Sequence, residues 1–98
     1  SSSASIAACG MLEMSKYLPK ETATLYIGYA KKIMKAVYDT CAVHDHTVSN
    51  GLVLHSTYSN HSPYNTCNHY GVDECNSWGD YFYMEALTRL DCDWEVYW

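Results

Sequence analysis

Positive charge is scarce in this chain: six Lys and Arg stand against eleven Asp and Glu, a formal net charge of -5. A nucleic-acid partner is held by its phosphates and needs a basic face, so none is expected. No apolar run approaches the roughly 20 residues needed to span a bilayer, and no membrane partner is expected. Cys-x-x-Cys is absent; the five cysteines, Cys9, Cys41, Cys67, Cys75 and Cys92, form an odd set without regular spacing. Such a set reads as reduced thiols in a cytoplasmic protein. The opening "SSSASIAACG" has no initiator Met, basic segment or cleavage signature, so it reads as the interior of a longer chain rather than a signal peptide. Internal repeats and low-complexity tracts are missing too.

Phe occurs once, whereas there are ten Tyr and three Trp. Tyr and Trp join apolar area to a hydrogen-bonding tip, which suits half-wet surfaces such as carbohydrate clefts as well as ordinary cores. The 98 residues allow at most one small domain, and a composition 48% hydrophobic and 17% charged is that of a globular chain.

Three helices are expected. Ser3 to Leu18 carries Ala4, Ala7, Ala8, Met11, Leu12, Met14 and Leu18 at helical spacing, with serines able to cap its start and Pro19 closing it. The small residues of its first turns let another element approach closely. From about Ala23 to about Val43 a second helix has Thr22 as N-cap, and Tyr26, Tyr29, Ala30, Ile33, Val37 and Cys41 form its apolar stripe. Lys31, Lys32 and Lys35 mark its other side. Asn50-Gly51 signals a turn into "LVLHSTYS", a short β-like run. Ser59 to Trp78 lacks periodicity, and a loop of that length is a binding loop or a disordered one. A third helix starts at Asp80, which would cap it, and buries Tyr83, Ala86, Leu87 and Leu90. The aromatic tail "DCDWEVYW" reads as docked. Three such helices have more apolar stripe than they can cover among themselves, so the isolated polypeptide is expected to be poorly soluble or molten.

Four constellations could carry chemistry. His44, His46, His55, His61, Cys67, His69 and Cys75 cluster between the second and third helices, but lack the ligand spacings of a zinc motif. They read as hydrogen-bonding loop residues; no metal and no cofactor is expected. Cys75, beside Glu74, has no base placed against it and no nucleophile signature around it. Asp73, Glu74, Asp80 and Glu85 could supply paired carboxylates, yet nothing in the sequence raises a pKa as a general acid requires. The fourth is a polar, aromatic rim. His55, Ser56, Thr57, Tyr58 and Ser59 enter the long loop, and Asn76, Ser77 and Trp78 leave it. A sugar site pairs a stacking aromatic with fixed donors and acceptors; a solvated loop with Trp78 tucked into the core is the other reading.

"SSSASIAACGMLEMSKYL", "GLVLHSTYS" and above all "DECNSWGDYFYMEALTRL" resemble, in family order and over essentially the whole chain, the C-terminal end of glycoside hydrolase family 88, the unsaturated glucuronyl hydrolases. The resemblance implies an all-α fold, with residues 1–98 the C-terminal fragment of a single (α/α)6-barrel domain and the remainder of that barrel as their partner. It also implies a substrate, an unsaturated uronic-acid oligosaccharide made by polysaccharide lyases. One Asp of the family protonates C4 of the 4,5-double bond while water adds at C5; the hemiketal then opens and releases the remaining sugar. Both catalytic aspartates of the family lie upstream of this segment, so no residue here is expected to be catalytic. His55, Tyr58, Asn76, Ser77 and Trp78, with Ser3 and Ser2 at the start of the first helix, are the substrate-binding candidates. An unsaturated rhamnogalacturonyl hydrolase, with the same barrel, and a small helical metal-binding interaction module are the alternatives.

Overall fold

The structure, a computed structural model, describes residues 1–59 and 71–95. The middle of the long loop, with His61, Cys67 and His69, and the end of the aromatic tail lie outside the described residues. Three helices follow one another: α1 (Ser2–Ser15), α2 (Lys20–Cys41) and α3 (Ser77–Asp91). The β-like run forms no strand among the described residues; it makes two isolated antiparallel bridges, Ala42 with Val53 and Ser56 with Glu74.

Each helix start differs from its sequence expectation. The serines do not cap α1 with a side chain; the Ser1 hydroxyl instead meets the Ser56 hydroxyl at 2.7 Å. At its other end α1 stops at Ser15, where the Ser15 hydroxyl donates to Leu12 O and the Lys16 and Tyr17 N–H groups reach back three residues. Such tighter bonds commonly finish a helix. Pro19 therefore opens α2 rather than closing α1: it is the N-cap, and its carbonyl accepts from Ala23 N at 2.8 Å. Its ring presets φ and it has no N–H to satisfy, so Thr22 falls inside the helix. In α3 the cap is Asn76, whose Oδ1 accepts from Gly79 N at 2.7 Å. Asp80 is thereby released for a tertiary task. Its Oδ1 accepts from both Leu52 N and Val53 N, each at 3.0 Å, tying the Gly51 turn to the helix.

The core is centred on α1, which packs against both α2 and α3 while those two barely meet. Ser5, Ala8, Cys9 and Leu12 are its buried residues. The small ones let the backbones come close, and the Cys9 thiol donates to Phe82 O across the interface. Burial first, and the nearby Glu85 charge second, push that thiol up to about 12, so Cys9 behaves as a packing residue. On α2 the buried stripe is Ala30, Met34 and Val37, flanked by half-covered Ile27, Ile33 and Cys41. Tyr29, expected on it, is exposed.

α1 and α3 run parallel. Their starts meet at Ser56, whose hydroxyl lies 2.9 Å from where a side chain on Gly79 would begin, and their far ends are joined by Arg89 reaching Glu13. α2 is the return helix. Outside the shared core, Ile6 and Met14 on α1, Tyr17 just past its end, Leu25 on α2, and Met84 and Leu87 on α3 remain exposed.

Candidate functional site

The rim is built by zipping together the two ends of the long loop. Val43 N donates to Leu52 O and Leu54 N to Cys41 O, which docks the run onto the end of α2 with Val53 fully buried beneath it. Gly51 is required here: a Cβ would lie 2.5 Å from the Cys75 Cβ. Ser56 and Glu74 then exchange both backbone bonds at 2.9 Å, and Tyr58 N donates to Gly71 O at 2.7 Å. Gly71 has φ +86°, and a side chain there would collide with Tyr58 and Ser59. Residues 56–59 therefore lie against 71–74, and entrance and exit of the loop become one surface.

On that surface the His55 ring hydrogen-bonds through Nδ1 to the Asp73 carboxylate. Tyr58 donates its hydroxyl to Glu74 Oε2 at 3.0 Å and meets Trp78 edge-on, ring centroids 6.3 Å apart. Trp78 is 45% exposed, so it lies on the surface of the segment rather than in its core. Ser77 is exposed beside it in the first turn of α3. Asn76 is buried underneath; its oxygen caps the helix, and its Nδ2 has no partner among the described residues. Ser2 is half-buried and Ser3 exposed at the start of α1. That start is held at the rim by Ser1, which reaches His55 O as well as the Ser56 hydroxyl. The structure thus brings Tyr58 and Trp78 into contact, bonds His55 to Asp73 beside the same Ser56–Glu74 bridge, buries Asn76 as the helix cap, and leaves Ser3 without a hydrogen bond to the rim among the described residues.

Sequence reasoning missed the use made of Asp73 and Glu74. The sequence offers them as glycoside-cleaving carboxylates, but each is bonded to an aromatic side chain from the entrance of the loop. Their position at the loop exit, facing His and Tyr at its entrance, is the signal that could have found them. Elsewhere, His44 stacks edge-on against Tyr38 and bonds to its carbonyl. Cys75 accepts from the Ser49 hydroxyl. Among the described residues no three His, Cys, Asp or Glu side chains gather as a metal site. None of the described helices is long and apolar enough to cross a membrane.

Comparison with known proteins shows what this segment is similar to. No family model matches the chain, but individual relatives match it from end to end. An unsaturated chondroitin disaccharide hydrolase of Streptococcus pneumoniae is 39% identical over 100 residues, covering 100% of this chain and 24% of that protein. One from Streptococcus pyogenes is 41% identical over 103 residues, again 100% of this chain and 24% of the relative. The unsaturated glucuronyl hydrolase of a Bacillus species is 31% identical over 100 residues, 25% of its length. A crystal structure of an unsaturated glucuronyl hydrolase variant from Streptococcus agalactiae superposes with a TM-score of 0.82 at 38% identity, over 99% of this chain and 25% of that one. Matched along its whole length in sequence and in fold, the chain is similar to a segment of these unsaturated glucuronyl and chondroitin disaccharide hydrolases and spans about a quarter of their length.

Proposed function

We propose that the protein containing this segment hydrates the 4,5-double bond of the unsaturated uronic acid at the non-reducing end of lyase-produced oligosaccharides. In this reading residues 1–98 are the C-terminal part of its single barrel domain, and the protein works in the cytoplasm. The observation that carries the reading is the end-to-end match, in sequence and in fold, to hydrolases named for unsaturated disaccharide or glucuronyl substrates. The unpaired Cys9, Cys41, Cys75 and Cys92 support a reducing compartment.

The aspartates of the segment support a non-catalytic role for it. Asp39 is paired with Lys35 on the outer face of α2, and Asp45 is held by the Thr47 N–H and hydroxyl. Asp73 holds His55, and Asp80 anchors the Gly51 turn. Asp91 and Asp93 are exposed at the end of the segment away from the rim. Proton donation to C4 is therefore assigned to aspartates elsewhere in the barrel. The rim contributes binding: the Trp78 and Tyr58 rings offer apolar faces to a pyranose, and His55 and Ser77 offer hydrogen bonds to its hydroxyls. Two carboxylates in the rim would repel the substrate's own uronate, so this surface takes neutral hydroxyls of the sugar.

The test is hydrolysis by the full-length protein of unsaturated chondroitin disaccharide and of an unsaturated rhamnogalacturonan disaccharide, followed as loss of double-bond absorbance. Faster consumption of the chondroitin product is expected. Preference for the rhamnose-linked sugar would reassign the substrate class, and no consumption of either would remove the activity.

A further inference from the structure

We infer that Asp73 is a positioning residue for His55, holding the imidazole so that its Nε2 is presented to the cleft as an acceptor for a sugar hydroxyl. The inference rests on the proposed glycosidase reading of the rim. Its first support is proton bookkeeping. An ionised carboxylate can only accept, so the Nδ1 bonded to Asp73 must carry the proton, and in the neutral ring the lone pair is then on Nε2. Nε2 has no partner among the described residues, and the His55 side chain is 50% exposed.

The second support is backbone conformation. His55 and Asp73, at φ 63° and 62°, are the two non-glycine residues with positive φ among the described residues. Each immediately precedes a partner of the Ser56–Glu74 bridge, so the two are diagonal neighbours across the ladder. Diagonal neighbours in a regular antiparallel ladder stand about 7–8 Å apart, a separation that an aromatic side chain such as His can span. Both residues adopt the left-handed region at the point where their side chains meet. Asp and His visit that region more readily than most residues, but two facing each other is uncommon.

The third support is what this geometry does not supply. With side chains 50% and 70% exposed, the pair contributes little to stability, because water screens such contacts. Its product is orientation. The neighbouring Tyr58–Glu74 bond repeats the same construction, with an acid from the loop exit aiming a polar aromatic from its entrance.

Full-length enzyme, unsaturated chondroitin disaccharide and the variants Asp73→Ala, Asp73→Asn, His55→Ala and His55→Ala/Asp73→Ala provide the test. His55→Ala is expected to raise KM about tenfold with kcat little changed, the mark of lost binding common to ground and transition states. Asp73→Ala should raise KM in the same way, and the double variant should be no worse than His55→Ala. Asp73→Asn should restore most of the affinity, since its amide oxygen accepts the same N–H. Nitrogen-15 spectra should show His55 protonated at Nδ1 in the wild type and shifted toward the Nε2–H form in Asp73→Ala. An active wild type whose KM ignores Asp73→Ala, or effects of the two alanines that add in full, overturns the inference. Inactivity of the wild type itself instead removes the glycosidase reading, and the substrate half of this inference with it.

Discussion

Arg89 is the residue whose removal the structure says most about. Its side chain is almost fully buried between α1 and α3, with Nε donating to Glu85 Oε1 at 2.7 Å and Nη1 donating to Glu13 Oε2. The guanidinium also lies 5.2 Å from the centre of the Trp94 ring. Burial alone would pull its pKa down; the hydrogen bonds it donates to the Glu13 and Glu85 carboxylates outweigh that and hold it above its ordinary value. Glu85 is the vulnerable partner. It is 4% exposed, and its Oε2 has no hydrogen bond among the described residues. Arg89→Met keeps most of the buried volume but leaves the Glu85 carboxylate without its counter-charge. Stranding one member of a buried ion pair costs about 3–5 kcal/mol. Replacing both, as in Glu85→Leu/Arg89→Met, should recover most of the loss, because two apolar side chains have no charge to strand. Urea unfolding of the full-length enzyme reads both changes. An Arg89→Met variant within about 0.5 kcal/mol of wild type, the range of ordinary surface substitutions, would refute the reasoning.

Three further outcomes follow from the same contacts. Hydrogen bonds from Arg89 and then Lys16 hold the Glu13 carboxyl below its ordinary value. Glu13 should therefore add stability above the unfolded carboxylate value of about 4.3, and lose it as pH falls through the lower folded value; urea midpoints of wild type and Glu13→Gln should converge on acidification. Asn76→Ala removes the α3 cap and should cost about 1 kcal/mol, measured by denaturant unfolding, with Asn76→Asp losing less. Trp78→Ala in the full-length enzyme should lower kcat/KM at least about tenfold, or about 1.4 kcal/mol; unchanged kinetics in a stable variant would take Trp78 out of the site.

The three helices were legible because apolar residues recur at helical spacing over long windows, whereas their ends were not. Thr22 and Asp80 are good capping residues, but Pro19 and Asn76 lie just ahead of them and start the helices first. Nothing local says that Asp80 is needed by Leu52 and Val53, 27 or more residues away. The α2 stripe drifted for a related reason. Tyr29 fits the periodicity yet is exposed, and Met34 is buried in the seam instead. The "LVLHSTYS" run is legible as β-like after the Asn50-Gly51 turn signal, but among the described residues it makes only isolated bridges. The rim could be located at the two ends of the loop, while the His55–Asp73 and Tyr58–Glu74 bonds depend on the register of the Ser56–Glu74 bridge. The Arg89–Glu13 contact joins residues 76 apart, and no short-range pattern encodes it.

Exposed Ile6, Met14, Leu25, Met84 and Leu87 are the physical reason to regard these helices as part of a larger assembly. Each is between 41% and 57% exposed and so forgoes roughly half of the about 1.5–3 kcal/mol that full burial from an exposed state would contribute. Calorimetry of the purified 98-residue polypeptide tests that most directly. Aggregation, or a broad melt without a cooperative heat-absorption peak, is the predicted behaviour; a sharp, reversible transition of a well-behaved monomer would show that the three helices suffice for themselves.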